Sequence, residues 1–164
     1  MLSVTTPSDR EIVMTRSFDA PRSLLFDALT NLALLKRWFG LFGGWALAVC
    51  EIDLRVGGPF RFVWRNTDGV MMGIHGVYRE IVVPERIVHT EIFDDYPSET
   101  LTTTVLVEQG GRTTLTSTIL YESKEVRDAV LKSGMERGVT ASYENLDRLL
   151  ASLQNEKRRA KHAL

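Results

Sequence analysis

Two histidines on neighbouring predicted strands are the side chains of this chain best suited to acid–base chemistry. The alternating segments Met71 to Val82 and Arg86 to Phe93 predict two strands joined by a short turn, which places His75 and His89 on adjacent strands. Imidazole exchanges protons near neutral pH, so an inward-facing pair beside a strand glutamate would act as general acid and base on a bound small molecule. No nucleophile lies beside them, which favours the alternative interpretation of two partly exposed residues on the outer face of a sheet.

The sequence predicts no metal or nucleotide site. The histidines His75, His89 and His162 lack the spacing of helical metal ligands, and the single cysteine, Cys50, has no partner. There is no GxGxxG segment opening a helix and no phosphate-binding GKS or GKT, so Gly57 and Gly58 predict a hairpin turn. The nucleophile motif GxSxG is also absent. We therefore expect no cofactor, no metal and no assigned catalytic residue.

Aromatic side chains form a second group of candidate site residues. Trp38 directly precedes a glycine-containing loop, and we expect it to border the mouth of a pocket. Trp64 and Tyr78 lie on predicted strands, where they face either a cavity or a packed core. Core packing is the alternative for each of these three residues, since large aromatic rings contribute most to the interior of a small domain.

The run from Ser123 to about Asn155 predicts one long amphipathic helix, with Ser123 as its N-cap. Gly134 and Gly138 interrupt it, each at a cost of about 1 kcal/mol relative to alanine. Either they make room for a ligand beneath the helix, or they let the helix approach the sheet closely. Met135 beside them suits an adaptable apolar site. The positions that share the predicted apolar face are Met135, Val139, Ser142, Leu146, Leu149 and Leu153.

The remaining elements predict a sheet that could hold these side chains. A strand from 10 to 18 is followed by two short helices and then by about six strands with short turn-like links, which favours an antiparallel meander. A twisted sheet of about seven strands curls, and the long C-terminal helix must bury its apolar face on the concave side. The predicted fold class is therefore α+β, with a curved antiparallel sheet wrapped around the helix and two short helices between strands 1 and 2.

Six segments cover nearly the whole chain and carry a recognisable pattern in their order. They are FDAPRSLLFDALT (18–30), RWFG (37–40), EIDLRVGGPFRF (51–62), GVYREIVVPERIVHTEIF (76–93), GGRTTLT (110–116) and RDAVLKSGMERGVTASYENLDRLL (127–150). Together they resemble the START-like, helix-grip (SRPBCC) superfamily, and within it domains homologous to the C-terminal part of the activator of the heat-shock chaperone ATPase. The resemblance implies a single helix-grip domain, here residues 10–155, and an apolar cavity, but no common reaction. We expect flexible termini at 1–9 and 156–164.

Composition limits the classes of partner. With 164 residues, 44% apolar and 25% charged residues, the chain predicts one globular domain. A net charge of −1 with interspersed signs argues against nucleic acid as a partner, and no apolar stretch approaches the roughly 20 residues that cross a bilayer. One cysteine and no recognisable signal peptide predict a cytoplasmic location. An open sheet edge would permit a homodimer.

We therefore hypothesise that the chain binds a small, largely apolar ligand between the sheet and the C-terminal helix. The first alternative is a protein-interaction module that regulates a chaperone. The second is a cyclase- or hydrolase-type enzyme acting on a hydrophobic substrate. The residues predicted to line the cavity are Trp38, Trp64, His75, Tyr78, His89, Met135, Gly138 and Ser142.

Overall fold

The computed structural model describes residues 1–163, which form one antiparallel sheet and four helices. The strands are β1 (Ser3–Thr5), β2 (Glu11–Phe18), β3 (Ala46–Ile52), β4 (Pro59–Arg65), β5 (Met71–Val82), β6 (Arg86–Phe93), β7 (Tyr96–Gln109) and β8 (Arg112–Leu120). The helices are α1 (Arg22–Thr30), α2 (Leu32–Leu35), α3 (Lys124–Lys132) and α4 (Met135–His162).

The strand order is β1-β2-β8-β7-β6-β5-β4-β3. Strands β3 to β8 form the predicted meander, and β2 joins it by pairing with β8. The α+β class and the curved antiparallel sheet are confirmed, with eight strands rather than about seven. The additional strand is β1, in a segment expected to be a flexible terminus, where Val4 pairs with Met14 of β2.

Gly76 lies where neighbouring strands leave no room for a side chain. A Cβ atom placed on this residue would lie 1.9 Å from the carbonyl oxygen of Thr90 and 2.7 Å from the Phe60 ring. Glycine is therefore required at this position for the observed approach of the Thr90 backbone and the Phe60 ring.

Two apolar clusters occupy that concave face. The larger lies between the sheet, α1 and α4, and its most deeply buried side chains include Phe18, Leu25, Leu115, Leu146 and Leu150. The smaller consists of Ile12, Met14 and Tyr121, with partly buried apolar residues of α3 and of the start of α4 packed against it. Helices α1 and α2 pack on different parts of the sheet, since α1 contacts β7 and β8 whereas α2 contacts β3.

The C-terminal helix differs from its prediction because it is divided into two. The Ser123 hydroxyl accepts a hydrogen bond from the Val126 N–H, which confirms the predicted N-cap of α3. Gly134 has φ +83°, a left-handed conformation that ends the first helix and begins the second at Met135. Helix α4 runs on to His162, through most of the expected flexible segment 156–164, whose last residue lies outside the described range. None of the helices in residues 1–163 has an apolar stretch long enough to cross a membrane.

Candidate functional site

The register of β5 and β6 determines which side chains face the helices. Tyr78 lies opposite His89, and Ile74 lies opposite Phe93. The His89 ring is perpendicular to that of Phe60, with their centroids 5.2 Å apart, and Phe60 belongs to the larger core cluster. Because alternate residues of a strand share a face, these side chains all lie on the concave side of the sheet.

One end of this concave face is not covered by the helices. Ile74 is only 3% exposed, but Met72 and Phe93 on the same face are 39% and 42% exposed. These two residues lie where β5 begins and β6 ends, beside their buried neighbours. An apolar surface that reaches solvent therefore continues directly into the core. We call this region the inner cleft; its residues are Met72, Ile74, Tyr78, His89, Glu91 and Phe93.

The inner cleft contains one polar pair. His89 Nε2 lies 3.4 Å from Glu91 Oε2, and their side chains are 19% and 25% exposed. Across residues 1–163, no lysine or arginine comes within ion-pair distance of Glu91. The pair is therefore a hydrogen-bonding site, with a carboxylate that no strong cation neutralises, within a largely apolar wall.

Two buried phenols stay neutral around this pair. Burial raises the pKa of Tyr78 to about 12, with a smaller contribution from Cys50. Burial also raises the pKa of Tyr121 to about 12, and the negative charge of Glu91 adds to that shift. Both rings are therefore uncharged over the whole physiological range, so the fixed negative charge here is that of Glu91.

His75 is on the opposite face from His89, which corrects the expectation that both face one cavity. On β5, His75 lies three residues before Tyr78, the residue opposite His89. Residues an odd number of positions apart point to opposite faces of a sheet. His75 Nδ1 lies 2.9 Å from Asp94 Oδ1 on the convex side. The less favoured interpretation, an acid–base pair, is therefore wrong, because two groups on opposite sides of a sheet cannot act together on one bound molecule. The favoured interpretation, a position on the outer face, holds for His75 but not for His89.

Asp94 is the centre of this convex cluster. Its carboxylate accepts two hydrogen bonds from Arg61, at 2.6 and 3.2 Å, in addition to the His75 contact. The hydrogen bonds from Arg61, followed by that from His75, hold the pKa of Asp94 below its usual value. Gly73 leaves space for this carboxylate, since a Cβ there would lie 2.1 Å from it. The cluster fixes the base of the β6–β7 hairpin, next to Phe93.

The two tryptophans predicted to line the cavity, Trp38 and Trp64, are both buried. Trp38 is 2% exposed and its Nε1 donates to the Ala28 carbonyl at 2.9 Å, which corrects its expected place at a pocket mouth. Trp64 Nε1 donates to the Phe39 carbonyl at 3.0 Å, and its ring centroid is 5.1 Å from that of Phe39. Both indoles have satisfied their polar atoms within the protein, so they make the wall rigid.

The three helix residues have different environments. Met135 packs against the smaller cluster. A Cβ on Gly138 would meet no atom within 4 Å, so the interpretation that this glycine permits close packing on the sheet is wrong. The Ser142 hydroxyl accepts a hydrogen bond from the Gly40 N–H at 3.2 Å, and Asn145 donates to the Leu41 carbonyl at 2.7 Å. Helix α4 is thus tied to the loop that follows α2, and the position of Gly138 is open.

Comparisons with known proteins agree with this architecture. The family model of the activator of Hsp90 ATPase homolog 1-like protein matches residues 19–151. The chain belongs to this family. A crystal structure of a protein from Rhodobacter sphaeroides is 34% identical, with a TM-score of 0.85 over 92% of this chain and 99% of that one. A protein from Nitrosomonas europaea (22% identity) and one from Mycobacterium smegmatis (21% identity) share the fold, each with a TM-score of 0.80. Each match covers 92% of this chain, together with 99% of the first protein and 97% of the second. No curated protein gives a significant match.

Within this activator of Hsp90 ATPase homolog 1-like domain, the sequence prediction missed part of the cleft. The predicted lining omits Met72, Ile74, Glu91 and Phe93. Counting in steps of two along β5 and β6 from Tyr78 and His89 reaches all four, so the signal was strand periodicity. Nothing in the sequence shows which of these side chains the helices cover.

Two surface depressions of this family member are lined by residues outside the inner cleft. One of about 460 Å³ lies between Phe42 and the outer side of α4, and one of about 640 Å³ lies along the last turns of that helix. The first is lined by charged residues such as Glu136 and Arg137, and the second by Arg158 and Arg159. Among residues 1–163, no three His, Cys, Asp or Glu side chains are grouped so as to hold a metal ion.

Proposed function

We propose that the protein binds a small, largely apolar ligand in the inner cleft, the part of the concave face that the helices leave uncovered. The observation that carries this proposal is the exposure of Met72 and Phe93 on a face that is otherwise buried. Large apolar side chains on a concave surface, with a few polar groups among them, are typical of small-molecule sites. A ligand there would remove apolar surface from water, which is worth roughly 25 cal/mol per Å².

The surroundings of the cleft support a preformed site. Phe60, Phe62 and Trp64 pack against one another and against Phe39, so the floor of the cleft is rigid. A rigid floor reduces the entropy lost on binding, because fewer side chains must be ordered.

Titration of the protein with 1-decanol, followed by calorimetry, tests the proposal. Phe93→Asp places a charge in the cleft at an exposed position, and we expect it to weaken binding at least about tenfold, or about 1.4 kcal/mol. Val107→Asp is the matched control, because Val107 is also exposed and lies on the neighbouring strand β7. Its side chain points outward, since it follows the inward-facing Leu106 in the strand. Equal weakening by both substitutions, or no binding to the unaltered protein, would refute the proposal.

The chaperone-regulating module remains the alternative, since the family description refers to an activator of the Hsp90 ATPase. It predicts that the protein recovers an Hsp90-class chaperone from cell extract, and that Phe93→Asp leaves the recovery unchanged. A chaperone partner, a homodimer and a cytoplasmic location remain predictions of the sequence. Recovery of such a chaperone together with failure to bind 1-decanol would replace the ligand-binding proposal by this alternative.

A further inference from the structure

The charge balance inside the inner cleft is uneven. Glu91 contributes a carboxylate to the wall, and its one ionic contact in the described part of the chain is His89, at 3.4 Å. An imidazole is a weaker counter-charge than a guanidinium or an ammonium, which are always protonated near neutral pH. The carboxylate therefore retains hydrogen-bond acceptor capacity toward anything bound in the cleft.

Two arginines near this face have other partners. Arg16 of β2 pairs with Asp147 at 3.7 Å, and its guanidinium lies 4.4 Å from the centre of the Phe18 ring. Arg127 of α3 donates to both Asp128 and the Ser8 carbonyl. Neither of them forms an ion pair with Glu91, and neither does Arg10, which donates to the Tyr121 carbonyl at 2.8 Å. Within residues 1–163, no guanidinium or ammonium group is paired with this carboxylate.

The aromatic surroundings also favour a ligand with a positive charge. Phe93 follows Glu91 by two residues on the same face, and the neutral phenol of Tyr121 lies within the field of the carboxylate. Aromatic faces attract cations and disfavour anions. A ligand with a negative head would face both the carboxylate and these rings, at an unfavourable electrostatic energy.

We propose that the ligand of the inner cleft is an amphipathic amine, whose alkyl or aryl body contacts Met72, Ile74 and Phe93 and whose ammonium group donates to Glu91. The Nε2 atom of His89, beside the carboxylate, is positioned to contact the same head group. This inference rests on the proposed function, since it names the chemical class of ligand for the same cleft. Fatty acids and other apolar anions are excluded as preferred ligands.

The test compares three probes with one tail: 1-decylamine, 1-decanol and decanoate, each below its micelle concentration, at neutral pH and constant ionic strength. We expect the amine to bind about tenfold more tightly than the alcohol, and decanoate to bind most weakly. Glu91→Gln preserves side-chain size and should reduce the ratio of the amine affinity to the alcohol affinity to about one. Glu99→Gln makes the same charge change on the convex face, since Glu99 lies opposite the outward-facing Ile92. This control variant should keep the amine-to-alcohol affinity ratio of the unaltered protein.

The outcomes separate this inference from the function on which it rests. If 1-decanol binds but 1-decylamine binds no better, the amine inference is overturned and the apolar cleft stands. If the preference for the amine persists in Glu91→Gln, or disappears equally in Glu99→Gln, it comes from overall charge and the inference is also overturned. If none of the three probes binds to the unaltered protein, the proposed function itself fails.

Discussion

Replacing each of the two helix glycines by alanine should change stability in opposite directions. A Cβ at either position would meet no atom within 4 Å, so neither substitution creates a clash or a packing contact. The difference lies in the backbone: Gly134 has φ +83°, whereas Gly138 lies within α4 without a positive φ. This pair therefore isolates conformational preference from packing.

The expected magnitudes follow from these conformations. Gly138→Ala should stabilise the protein by about 1 kcal/mol, because alanine has the higher helix propensity and restricts the unfolded chain. Gly134→Ala should destabilise it by about 1 to 2 kcal/mol, because a Cβ is unfavourable in the left-handed region. For a chain of this length, 1 kcal/mol corresponds to roughly 2–4 °C in the melting temperature.

Urea unfolding followed by far-ultraviolet circular dichroism measures both changes as shifts of the midpoint at constant slope. The decisive result is the sign. If Ser123 to Asn155 were one continuous helix, both substitutions would stabilise by similar amounts, since both glycines would then have helical dihedral angles. Stabilisation by Gly134→Ala would therefore refute the division into α3 and α4.

Two further predictions concern β5 and the convex cluster. Gly76→Ala should destabilise the protein by about 3 kcal/mol, because the new Cβ would lie 1.9 Å from the Thr90 carbonyl oxygen and the backbone must move. The same unfolding assay measures this change. A loss of stability below about 0.5 kcal/mol would contradict the close approach of Thr90 to Gly76. Arg61 lowers the pKa of Asp94 in the folded protein. The stability that ionised Asp94 adds to the folded state is therefore fully present above its ordinary pKa of 3.8, and is lost as the pH falls through its lower pKa in the folded state. The stability difference between the unaltered protein and Asp94→Asn should therefore shrink below that pH, whereas the neighbouring Asp95→Asn, which removes no ion pair seen in residues 1–163, should give little difference at any pH.

The fold could be predicted largely because its signals are local or periodic. Turn residues separated the strands of the meander, and the motif order covered nearly the whole chain. The break at Gly134 could not be read from periodicity, because the apolar spacing from Met135 onward is compatible with a helix that starts earlier. Its physical cause is a single left-handed residue, and glycine is common both there and in helices that merely tolerate it.

The candidate site was less predictable because it depends on register and cover. His75 and His89 were correctly placed on adjacent strands, but their faces depend on an offset of three residues that only the turn geometry fixes. The position of Trp38 before a glycine-containing loop suggests a pocket residue, yet its indole N–H donates a hydrogen bond to the Ala28 carbonyl of α1. Conversely, Met72 and Phe93 are ordinary strand residues whose exposure depends on where the helices end.

The most direct test of ligand binding in the inner cleft is to record nuclear Overhauser effects between bound 1-decylamine and the methyl groups of the protein. We expect contacts from the decyl chain to the Met72 and Ile74 methyl groups. Contacts confined to Ala141, which lines the depression on the outer side of α4, or to the exposed Val107 on the convex face would contradict the central claim.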